Sequence, residues 1–158
     1  GLMFEPIHRV FFGLDTKTFE DALAKHCSSF SKHDADNLDD GIKAINEGQG
    51  RFLFTDSSGK FTVYATEGTE KSLSAWTIQS VIDTLLDENA CKVDYIHGAA
   101  ETVSLSAEAG NIGIILPDIH KETFFDAILH DKAYPRKTFS IGHPEEKRYY
   151  MEARKIVR

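Results

Sequence analysis

The sequence predicts an α+β domain, a mixed sheet of about five strands with helices packed on it. Three observations point there. Short aromatic and β-branched runs alternate with segments whose apolar residues recur at helical spacing. Two of those runs flank "DSSG", a small polar turn that ends in glycine. The helical segments are apolar along one stripe only, and such a stripe is buried against a sheet.

Each element follows from its residues. "HRVFFGL" (8–14) is aromatic and β-branched and reads as a strand. "DTKTFEDALAKHCSSF" (15–30) places Phe19, Leu23, Cys27 and Phe30 on one helical face, with Asp15 or Thr16 as N-cap. Leu38, Ile42 and Ile45 mark a second short helix, ended by Gly48 and Gly50. "RFLFTDSSGKFTVYATE" (51–67) is a hairpin. "SLSAWTIQSVIDTLLDEN" (72–89) is the strongest helix, with Ile78, Val81, Ile82, Leu85 and Leu86 as its stripe and Ser72 or Ser74 as cap. "KVDYIHG" is a strand, and "AAETVSLSAEAG" is a short helix. "NIGIILP" is apolar throughout, so it predicts a strand buried on both faces and stopped by Pro117. "IHKETFFDAILHDK" predicts a helix with Phe124, Phe125, Ile128 and Leu129 facing inward. The first main elements run β-α-β-β-α-β, the order of ferredoxin-like folds, with extra helices besides. The C-terminal extension adds an edge strand at 137–141 and a last strand or helix at 146–156. No internal repeat is visible in the sequence.

Composition limits the function classes. The 158 residues fit one domain, 1–158. A hydrophobic fraction of 41% and a charged fraction of 27% are those of a soluble globular chain. No apolar run reaches the ~20 residues of a membrane span. "GLMFEPIHRV" has neither the basic nor the apolar region of a signal peptide. Cys27 and Cys91 form no disulfide framework and no zinc pattern, so a reducing cytoplasm is expected.

Charge is unevenly spread. Residues 1–131 carry 10 basic and 22 acidic side chains, whereas 132–158 carry 8 and 3. The basic segment supplies the candidate anion site: Arg136, Lys137, Thr138, His143, Lys147 and Arg148. Arg grips phosphate or carboxylate with two prongs, Lys acts as a point charge, and His143 titrates near neutrality. The acidic body would repel a long polyanion, so the charge pattern disfavours nucleic acid as a partner and a small phosphorylated or carboxylated ligand fits better. His97 ends a strand and Asp118 follows another, so the two would share a rim if those strands run parallel. The seven histidines show no ligand pattern for a metal. No phosphate loop, metalloprotease or nucleophile-elbow motif is present, and no cofactor is specified.

Two segments carry a resemblance. "EPIHRVFFGLD" and "YIHG…NIGIILPDIHKETFFDAILHDKAYPRKTFSIGHPEEKRYYMEARKI" resemble the C-terminal part of the bacterial and archaeal domain of unknown function 1015 family. His8 and Arg9, with Pro135, Arg136, Lys137 and Thr138, match its motif positions. Members of that family are two to three times longer. Their central Gly-His-His-Arg element resembles the ParB-like superfamily, which includes a free-serine kinase, and that element is absent here. The resemblance implies a C-terminal domain of a larger cytoplasmic protein whose partner is its own N-terminal half. His8 and Arg9, which match that family, and His97, at its strand end, join the candidate anion site. The alternative expectation is a purely structural domain that docks on that half.

Overall fold

The computed structural model describes residues 3–131 and two short strands at 139–141 and 149–151. Four strands form a small sheet. β1 (Met3–Pro6) pairs antiparallel with β8 (Ile119–His120) on one side and with β9 (Phe139–Ile141) on the other. β10 (Tyr149–Met151) continues it beyond β9. The main sheet has six strands: β2 (His8–Phe12), β3 (Ser29–Ala35), β4 (Arg51–Asp56), β5 (Phe61–Glu67), β6 (Lys92–Ile96) and β7 (Asn111–Ile115). Their order is β3-β5-β4-β7-β2-β6, and every neighbouring pair is antiparallel.

The α+β class stands, and the sheet departs from the expected one in two ways. It is antiparallel rather than mixed. It also holds β3, a strand that interrupts the ferredoxin-like order. The helix predicted over 15–30 stops early, because α1 spans only Thr16–Leu23. Asp15 caps it by accepting the Thr18 N–H at 2.7 Å. Phe30 leaves the helix and stacks on Tyr64, 5.7 Å between ring centroids, from the paired strand β5. That contact, with a seven-residue register against β5, outweighs the helical spacing of Cys27 and Phe30.

Helices cover both faces of the main sheet. α1 and α3 (Ser74–Asp87) pack together on one face, over Phe11, Phe52, Phe54, Tyr64, Ile112 and Ile114. α2 (Leu38–Ile45) and α4 (Ala99–Ser106) cover the other, over Leu53, Val63 and Ile115. The predicted serine caps of α3 are not caps. Leu73 holds the N-cap position without a side-chain bond. Ser72 instead donates its N–H (2.8 Å) and hydroxyl (2.7 Å) to Asp131 of α5 (Lys121–Asp131), while the Ser74 hydroxyl accepts the Gly50 N–H. In α5, Phe124 faces inward with Trp76, Phe4 and Ile119, and Ile128 packs against them. Phe125 and Leu129 face outward, 49% and 76% exposed, contrary to the expected stripe. Leu86 of α3 is also exposed. All three sit at the ends of apolar stripes wider than the surface they meet.

Candidate functional site

β6 and β7 run in the same direction, with β2 antiparallel between them. Their C-terminal ends therefore meet the N-terminal end of β2 on one edge of the sheet. His97 and Asp118 both follow strand ends on that edge. A cleft of about 260 Å³ opens there, lined by Glu5, His8, Gly98, Ala99, Leu116 and Asp118 among others. Gly98 starts α4 with φ of +84°, a backbone conformation suited to glycine.

His8 is the organising side chain. It is 5% exposed, and its Nδ1 accepts the Leu116 N–H at 3.0 Å. The ring proton therefore sits on Nε2 and makes that nitrogen a donor. Burial, with the adjacent Arg9 charge and that of His97, brings its pKa down to about 3. His8 is thus a neutral, directed donor over the whole physiological range.

Asp118 is held by α2. Its N–H donates to Asn46 Oδ1 at 2.8 Å, and its carboxylate accepts Asn46 Nδ2 at 3.3 Å. Gln49 Nε2 reaches the Asp118 carbonyl at 3.2 Å. Burial and then the Glu5 charge raise the Asp118 carboxyl above its ordinary range, against the opposing pull of His120 and Asn46. Two carboxylates, Glu5 and Asp118, thus line the cleft, and its described lining holds no lysine or arginine.

Strand alternation sends Arg9 to the opposite face from His8. Its guanidinium lies 4.7 Å from the ring centroid of Tyr95, its cross-strand partner. Nη1 donates to the Ile7 carbonyl, while Nε and Nη2 have no acceptor among the described residues. The side chain is fully buried, and burial brings its pKa down to about 10, so it stays charged at neutral pH.

The candidate set is therefore divided. His8 lines the cleft, His97 is half-buried beside it, and Arg9 faces away. Arg136, Lys137, Thr138, His143, Lys147 and Arg148 lie outside the described residues. Sequence reasoning missed Glu5, which carries no motif and reaches the cleft through β1.

A second cavity of about 370 Å³ lies at the opposite edge, near the β4–β5 turn. Its charges are largely satisfied. Lys32 pairs with Glu20 at 2.8 Å, and Asp56 accepts the Ser58 N–H and hydroxyl. Among the described residues, no three His, Cys, Asp or Glu side chains converge to hold a metal ion. No described helix is long and apolar enough to cross a membrane.

No family model matches the chain, and no curated protein or solved structure matches it. The resemblance to the domain of unknown function 1015 family draws no support from these comparisons.

Proposed function

We propose that the domain binds a small amine-bearing ligand in the His8–Asp118 cleft. The observation that carries this reading is the pairing of a buried, neutral donor with a raised carboxyl at one sheet edge. An ammonium group placed by Asp118 offsets the burial, and then the Glu5 charge, that raise its pKa. The His8 Nε2–H then fixes the orientation of a ligand oxygen, and the apolar walls of Ile42, Ile115 and Leu116 enclose its carbon skeleton. Among the described residues, the cleft lining holds carboxylates and one histidine but no hydroxyl, thiol or amine, and the reading is of binding. The free thiols of Cys27 and Cys91 suit a reducing cytoplasm.

A thermal-shift panel of free amino acids, diamines, phosphate and phosphoserine tests it. An amine at a hundred times its dissociation constant adds about 2.7 kcal/mol, a rise of roughly 5–10 °C for a chain of this size. Asp118→Asn abolishes the rise. A flat response to every amine overturns the reading.

Arg9 favours a second reading, in which the ligand or partner is anionic. Its Nε and Nη2 donors are buried without acceptors among the described residues, a costly arrangement that a phosphate or carboxylate would relieve. The basic residues from Arg136 to Arg148 would serve the same anion, as would an acidic surface on a larger protein. In the same panel this reading requires a response to phosphoserine or phosphate that Arg9→Met removes.

A further inference from the structure

Among the described residues β3 is an edge of the main sheet, with β5 on one side and no strand on the other. It is seven residues long and contains no proline, and Ser31–Asp34 are exposed. An open edge of this kind presents a row of unpaired N–H and C=O groups, and proteins commonly guard it with lysine. Lys32 stands in that position, but Asp34 follows two residues later on the same face. The guard is thereby cancelled in one arrangement, antiparallel pairing with an identical strand.

We propose that β3 joins a second copy of the chain edge to edge, about a two-fold axis at His33. In that register Lys32 of each copy faces Asp34 of the other, which gives two cross-strand ion pairs on one face. His33 meets its own copy on the other face. The neighbouring registers that keep the faces aligned are excluded by charge. One sets Lys32 against Lys32, and the other sets Asp34 against Asp34. The contact is isologous and closes at two copies, making a continuous antiparallel sheet across the dimer. The other edge, β6, also carries a Lys-x-Asp pattern in Lys92 and Asp94. It is two residues shorter, and Val93, Tyr95 and Ile96 are half-buried. β3 is therefore the pairing edge.

Light scattering on the intact chain, from micromolar to millimolar concentration, tests the proposal. The wild type reaches twice the 17.7 kDa chain mass. Beyond its backbone pairing with Thr62, the Asp34 side chain makes no hydrogen bond or ion pair among the described residues, so Asp34→Lys leaves the fold intact and sets lysine against lysine. It weakens the dimer roughly tenfold or more. Adding Lys32→Asp on that background restores opposite charges across the seam and restores the dimer, while giving up the Lys32–Glu20 pair within each copy. Circular dichroism confirms that each variant is folded. Asp94→Lys, on the other edge, leaves the mass unchanged. A wild type that stays monomeric throughout overturns the proposal. So does a dimer indifferent to Asp34→Lys, or one broken by Asp94→Lys instead.

Discussion

At the scale of single residues, His8 ties the cleft to the stability of the fold. Its pKa is about 3 when folded and about 6.5 when unfolded. Between those values the unfolded chain binds the extra proton, so stability falls as pH drops below about 6.5. At pH 5 this loss is about 2 kcal/mol relative to pH 7.5, a figure set mainly by the unfolded value. Urea unfolding of wild type and His8→Gln at the two pH values isolates the term. The wild type is expected to lose about 2 kcal/mol more than the variant, and equal losses would mean that His8 charges freely in the folded protein. Arg9 gives the opposite kind of expectation. Replacing a buried guanidinium that has two donors without acceptors among the described residues by an apolar side chain of similar length removes the cost of burying that charge. Arg9→Met should therefore leave the thermal midpoint unchanged or raise it, despite the lost contact with Tyr95. A marked drop would reveal an acceptor for Nε or Nη2. The sequence marked His8, Arg9 and His97 and suggested a rim shared by His97 and Asp118. Reading 8–14 as a strand already put the adjacent His8 and Arg9 on opposite faces, but which face meets the cleft depends on the neighbouring strands and helices, which no local pattern announced.

At the scale of elements, the failures share a cause. β3 reads "SFSKHDA", which has one large apolar residue and no alternating hydrophobic face. As an edge strand with most of its residues exposed, it needed none, and its pairing with β5 is specified by backbone register and by Phe30 on Tyr64. Helix α5 was legible as a helix, yet its outward Phe125 and Leu129 show that apolar spacing does not say how far a neighbouring surface extends. β7 was the most legible strand, since "NIGII" is buried throughout, as its unbroken apolar character requires. Gly113 in that strand has a role that no pattern announced. A Cβ there would overlap Ser106 Oγ and crowd Thr102 Cγ2 at 3.2 Å. The space lets α4 sit directly on β7, and Ser106 uses it to donate to the Thr102 carbonyl at 2.6 Å. Gly113→Ala is expected to cost about 1–3 kcal/mol in chemical denaturation. It also displaces α4, whose first turn walls the cleft, so ligand-induced stabilisation should shrink with it.

At the scale of the whole molecule, the main sheet has a two-fold symmetric topology that the sequence did not display. The run β2-α1-β3-α2-β4 and the run β5-α3-β6-α4-β7 occupy equivalent places. Exchanging the two runs reverses the strand order onto itself. The first helices of both runs share one face, and the second helices share the other. Side chains at matching positions differ, which hides the repeat from composition and motif. One consequence is strong cooperativity. Every neighbouring pair in the main sheet joins a strand of one run to a strand of the other, and no two strands of the same run touch. Neither run can form a sheet by itself, because its strands lie one place apart with the other run between them. Nearly all ladder contacts are therefore long-range, apart from the β4–β5 hairpin that links the runs, and folding is expected to be slow for a chain of this size. Cleavage of the chain in the exposed turn at Ser57–Gly59 provides the test. Residues 1–57 and 58–158 are each expected to lack the circular dichroism of folded β-sheet alone, and to recover it when mixed in equal amounts. A fragment that folds by itself would mean that one run pairs its own strands, which this strand order forbids.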